Sequence, residues 1–272
     1  MTANATPSRP KTIWLLVTMP VTLILTHYAA VLPHESAHST MAWLLGVKNT
    51  PGDLSWGPAT IGNLLLFYDI DENVDYSAIP ADAQWKLAVI AFAGPGIANG
   101  GMYLISRWLI TKPFFAVRPY HAFVLFWWYV MQAANLWCYV PIRVFADDGD
   151  IHHIEQATGI SPWWIYVLGG WVVVFVLCDM YRTVLPWVLK TCEFTASYER
   201  AIMLIATTGV TFGYFGIPAI LEPDAVSFFQ GITSEMAIPV IVLMMWRSIV
   251  LTGTRETQVD PYRPAKHTAL AR

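Results

Sequence analysis

The sequence predicts an all-α polytopic membrane protein of about six transmembrane helices, and three observations carry that reading. Hydrophobic residues make up 56% of the 272-residue chain and Asp, Glu, Lys and Arg only 13%, too few charges to coat a soluble domain of this length. Six stretches, near residues 14–45, 86–111, 114–141, 163–186, 200–221 and 234–251, reach the roughly 20 apolar residues that cross a hydrocarbon layer as a helix. Lys and Arg then alternate between the two faces of six crossings. Arg9 and Lys11, Lys112 and Arg118, Arg182, Lys190 and Arg200, and Arg255, Arg263, Lys266 and Arg272 all fall on one side, which places both termini in the cytoplasm.

Taken in order, residues 1–13 form a cytoplasmic tail that leads into the first apolar stretch. That stretch is too long and lacks the small-residue cleavage site of a signal peptide, so it reads as a retained helix. It also exceeds one straight crossing, and it must tilt, protrude or bend at Pro33, which has no backbone donor. The connection from 47 to 85 contains WGPATIGNLLLFYDI, a short apolar piece between Gly-containing turns. Its pattern fits a strand pair or a re-entrant segment at the membrane face. Small residues four apart in GIANG (96–100) and GVTFG (209–213) suit close helix packing. Residues 14–153 thus form a three-helix core, 154–251 add three more helices, and 252–272 form a polar, Pro-containing cytoplasmic tail expected to be mobile.

Composition also excludes functions. The net charge is −3 and no basic run interleaves with aromatics, so no nucleic-acid partner is expected. Cys138, Cys178 and Cys192 form no CxxC pair and support neither a disulfide framework nor a cysteine zinc site.

The chemistry concentrates in VLPHESAHSTMAWLLGV, residues 31–47. On a helix, His34 and His38 share a face and offer two imidazole nitrogens to one metal ion, with Glu35 beside them. This HExxH pattern suits zinc, leaving a position for a water whose proton Glu35 takes as general base. Each ionisable group inside a membrane helix costs on the order of 2–3 kcal/mol, so three within five residues require compensation, which a metal and a hydrated cavity supply. A third ligand is sought in FADDGDIHH, 145–153, at the end of the third crossing. The first and third crossings run in the same direction, so these two regions approach the same membrane face. Asp148, before the Gly149 turn, and Asp150 are the two candidates, with Asp147 behind them.

Together these pieces resemble the site-2 protease family of intramembrane zinc metalloproteases over roughly residues 20–153. HESAHSTMAWLLGV is similar to the family's HExxH helix, AGPGIANG (93–100) to its Gly-Pro and Asn segment, and DDGD to its Asp-Gly motif. The resemblance implies zinc held by His34, His38 and one of Asp148 and Asp150, with Glu35 as base. It implies that Asn99 and Asn135 position the substrate or its transition state. The activity implied is cleavage of peptide bonds in or near transmembrane segments of membrane proteins, in a bilayer expected to be a bacterial inner membrane.

Two other classes remain in view. A membrane di-iron desaturase or hydroxylase would use HESAH as HxxxH together with His152 and His153. A noncatalytic subunit of a membrane complex would use its histidines to bind haem or pigment. Of the remaining polar residues, His27 is expected to pack or hydrogen-bond, His152 and His153 to be exposed, Arg143 to pair with Asp147 or Asp148, and Asp179 to pair with Arg182.

Overall fold

The computed structural model describes residues 9–251 apart from Tyr68 and Glu222. The tail at 252–272, and with it the basic residues read there, lies outside the described residues.

Helix α1 (Arg9–Leu44) runs unbroken through Pro20 and Pro33. Its 36 residues extend about 54 Å at 1.5 Å per residue, well past one hydrocarbon layer. It ends where Gly46 takes a left-handed φ of 72° and Val47 N–H returns to the Ala42 carbonyl. The 47–85 connection departs from expectation. Among the described residues it contains no strand, only an isolated antiparallel bridge between Ser55 and Asp71. Its apolar piece is a short helix, α2 (Ile61–Leu66), capped by the Thr60 hydroxyl. Asn63 explains why: its amide donates to the carbonyls of Trp56 and Pro58, and its oxygen accepts from Asp69 N–H. These bonds close a compact loop around the helix and leave no extended partner for a ladder. Phe67 stacks on Tyr28 of α1 at 3.9 Å between centroids, docking α2 against that helix.

Helix α3 (Ala81–Ile110) widens to a π-helical stretch at Ala93–Gly100, which contains Pro95. Helix α4 (119–142) starts on Pro119 and ends in a second π-helical turn, Cys138–Ile142. The short α5 (Asp150–Thr158) packs on the first half of α3. Three further helices follow, α6 (Pro162–Thr191), α7 (Ser197–Ile220) and α8 (Ala225–Leu251). GVTFG packs as its spacing suggests, with Gly213 against Ile238 of α8.

Among the described residues five helices, not six, are long and apolar enough to cross a membrane, namely α1, α3, α6, α7 and α8. The exception is α4, which is long enough but carries Tyr, Trp, Gln and Asn in place of aliphatic residues. Its position accounts for this composition. Phe123, Phe126, Trp127, Val130 and Ala133 are fully buried, and α1, α3, α6 and α7 all pack on α4. A helix sheathed by other helices needs little lipid-facing surface, and several of its polar atoms find partners inside the bundle, Tyr129 on Asp179, Gln132 Oε1 on Asn99 and Trp137 on Ser234.

The expected Asp179–Arg182 pair is also corrected. Asp179 of α6 takes a two-pronged ion pair from Arg107 of α3, at 2.6 and 3.1 Å, and accepts from the Tyr129 hydroxyl of α4 at 3.2 Å. Two helices side by side present these groups to each other, whereas Arg182 points outward and is exposed. The bridge fastens α6 to the first half of the chain.

Candidate metal centre

Two turns of α1 and the start of α5 bring three side chains together. His34 and His38 sit four residues apart on one face of α1, their Nε2 atoms 3.1 Å apart. Asp150, the first residue of α5, places Oδ2 3.1 Å from His34 Nε2 and Oδ1 3.2 Å from His38 Nε2. Gly149 makes this possible: its φ of 95° turns the chain so that the following residue, not the preceding one, faces inward. Asp148 is left with a side chain 86% exposed, accepting from Gly149 N–H. Of the two candidate aspartates, therefore, Asp150 is the one delivered to the histidines.

The second nitrogen of each imidazole is committed. His38 Nδ1 donates to the Ile90 carbonyl at 2.6 Å. His34 Nδ1 donates to Asn99 Oδ1, and the Asn99 amide in turn donates to Gln132 Oε1 at 2.8 Å. Both Nε2 atoms consequently carry lone pairs, and both lone pairs converge on a carboxylate. Such a cluster repels itself unless a cation sits among its members. A tetrahedral ion with bonds of about 2.0 Å holds its ligand atoms about 3.3 Å apart, close to the spacing found. His34, His38 and Asp150 form the one group of this kind among the described residues, and it is able to hold a metal ion.

Space for the imidazoles comes from α3. A Cβ on Gly94 would lie 2.1 Å from His38 Nε2 and 2.6 Å from His34 Nε2. Since both rings are tethered through Nδ1, neither can yield. Gly94→Ala is expected to weaken metal binding more than tenfold and to cost about 1–3 kcal/mol through overpacking, measured by titration with divalent cations and by thermal unfolding in detergent.

Glu35 lies beside the cluster, its Oε1 4.0 Å from His34 Nε2. It also lines a cavity of about 370 Å³ together with Asn135, Tyr139 and Arg143 of the α4 end, His27 of α1 and Phe67. Residues that sequence reasoning did not single out complete the surroundings. The Glu72 carboxyl accepts from the Tyr76 hydroxyl at 2.5 Å. Lys48 fixes this part of the connection to α1 by donating to Ser39 Oγ at 2.8 Å and to the Glu72 carbonyl at 2.5 Å. Tyr139 stacks on His34, with ring centroids 5.2 Å apart and planes 14° from parallel.

The two asparagines, both expected to position substrate, are placed differently from each other. Asn99 is buried away from the cavity and acts on His34, orienting a ligand instead of facing a substrate. Asn135 does reach the cavity wall, with its amide nitrogen donating to the Met131 carbonyl. His27 Nε2 lies 2.8 Å from the Leu66 carbonyl and 3.2 Å from the Tyr214 hydroxyl, as a hydrogen-bonding residue should. His153 packs on the Tyr76 ring, and neither it nor His152 joins the cluster. Arg143 lies against the Gly149 turn.

The fold and site define a helical membrane protein with a buried two-histidine, one-aspartate centre. Comparisons with protein-family models, curated proteins and solved structures find no match to the chain.

Proposed function

We propose that the protein is an intramembrane zinc metalloprotease of the site-2 protease type, hydrolysing peptide bonds in or near transmembrane segments of other membrane proteins. One observation carries this reading: two tethered imidazole nitrogens 3.1 Å apart, each 3.1–3.2 Å from a different oxygen of the Asp150 carboxylate, with the Glu35 carboxylate at their side opening onto a cavity. His34, His38 and Asp150 would hold the ion, which when bound makes a coordinated water acidic near neutral pH and polarises a carbonyl.

The chain's own residues supply the rest. Asn99 and the Ile90 carbonyl keep both imidazoles in the ligating tautomer. Glu35 takes a proton from water as its oxygen bonds to the peptide carbon, and the carbonyl π electrons move to oxygen. Glu35 then gives that proton to the departing nitrogen as the C–N bond breaks. The cavity, at about 370 Å³, has room for on the order of ten waters at ~30 Å³ each, or for a short unwound peptide. Hydration is needed here because a helical substrate hides its amides and lipid excludes water. The Lys and Arg pattern favours both termini on the cytoplasmic side, and the membrane proposed is a bacterial inner membrane.

Several placements favour this reading over a di-iron oxygenase. Among the described residues a single His and Asp cluster converges, His27 is held by Leu66 and Tyr214, and His121 lines a separate apolar groove. The test is metal content and reconstitution. The purified protein is expected to carry one zinc per chain, to stop cleaving a single-pass reporter in liposomes after chelation, and to recover when zinc is returned. Two irons per chain, or cleavage indifferent to chelation, would overturn it.

A further inference from the structure

We infer that the Tyr139 hydroxyl is a catalytic donor that receives the negative charge growing on the substrate's carbonyl oxygen, an assignment that rests on the protease reading above. Tyr139 stands on the π-helical turn Cys138–Ile142 at the end of α4, one of the wide turns that often mark functional positions because they re-aim a side chain. Its ring lies nearly parallel to the His34 imidazole, which fixes the direction of its C–O bond. The hydroxyl sits 3.0 Å from His34 Nε2, and that nitrogen is an acceptor because His34 Nδ1 keeps its proton for Asn99. The tyrosine therefore donates into the lone pair that a metal would claim.

Two functions cannot use that lone pair at once. With the metal bound, Tyr139 loses its acceptor while the stacked ring holds the hydroxyl where it is, on the wall of the cavity that Glu35 also lines. The O–H is then presented to whatever oxygen enters beside the ligands. Three neutral donors near the site are engaged elsewhere: Asn99 on His34 and Gln132, the Asn135 amide nitrogen on the Met131 carbonyl, and Tyr76 on Glu72. A neutral donor placed in advance stabilises charge that develops only in the transition state, and removal of one such donor typically lowers kcat by about 10²–10³-fold.

Tyr139→Phe keeps the ring stack and removes one oxygen, which makes it the decisive variant. In the full-length zinc-loaded protein, kcat on a single-pass reporter is expected to fall by about 10²–10³-fold with KM nearly unchanged. Two binding measurements on the same samples separate the possible roles. Affinity for a peptide phosphonate, whose charged oxygens imitate the transition state, is expected to weaken by about the same factor as kcat/KM, whereas zinc affinity and binding of an uncleaved peptide stay at wild-type values. A tenfold or greater loss of zinc affinity would make the hydroxyl a metal ligand and overturn the assignment, as would unaltered kcat and phosphonate binding. Thermal unfolding of the zinc-free variant is expected to drop only slightly, through the lost hydrogen bond to His34 Nε2, and a large loss there would give Tyr139 a packing role instead. If wild-type protein neither binds zinc nor cleaves the reporter, the protease reading falls and this assignment with it; if it does both and Tyr139→Phe equals it, only the Tyr139 assignment falls.

Discussion

Glu35→Gln is expected to leave the metal centre loaded and to abolish cleavage, lowering the rate by about 10²–10⁴-fold. The substitution is nearly isosteric, and Glu35 is not among the three converging ligands, so zinc content should hold at the wild-type level. What disappears is the basic oxygen that lies 4.0 Å from His34 Nε2 and borders the cavity. The neighbouring Glu72 is not expected to replace it, because its carboxyl accepts from the Tyr76 hydroxyl while Lys48 holds its backbone carbonyl. Cleavage of a membrane-embedded reporter, measured alongside elemental analysis of the same preparation, reads both quantities. Full cleavage by Glu35→Gln would remove the proposed mechanism.

The second large effect separates two neighbouring aspartates. Asp150→Asn is expected to weaken zinc binding by more than about 100-fold, beyond the 10–100-fold range typical of residues that only support ligands. The carboxylate faces both imidazoles at 3.1 and 3.2 Å, and an amide has neither the charge nor a second accepting oxygen. Zinc should then no longer raise the unfolding temperature, since a ligand stabilises a fold only through the occupancy of its site. Asp148→Asn should change neither reading, because that side chain points into solvent. A reversal of the two results would place the third ligand one turn of chain earlier.

The helical, membrane-spanning character was legible in the sequence because lipid imposes a composition that nothing else demands. The two histidines were legible for a similar reason, since a spacing of four is a local property of any helix. What could not be read depends on contacts between distant segments. Asp148 and Asp150 differ only in which side of the Gly149 turn they occupy, and the φ of 95° that decides between them has no sequence signal beyond glycine itself. Tyr139 and Asn99 both sit on π-helical turns, where the extra residue shifts the phase that a 3.6-residue period would assign. The α2 segment fails for a plainer reason. A short apolar run between glycines suits a strand or a helix equally, and Asn63 decides through bonds to residues on both sides. Asp179 was matched to the nearest base in the chain, while the partner it meets lies 72 residues away.

The third member of the cluster opens a short helix that follows the end of α4, more than a hundred positions after the pair on α1. A ribosome making this chain from its N-terminus therefore threads two histidines into the bilayer long before their aspartate exists. Throughout that interval the nascent polypeptide lacks the third ligand of the cluster, so the site can close around an ion only after residue 150 has been added.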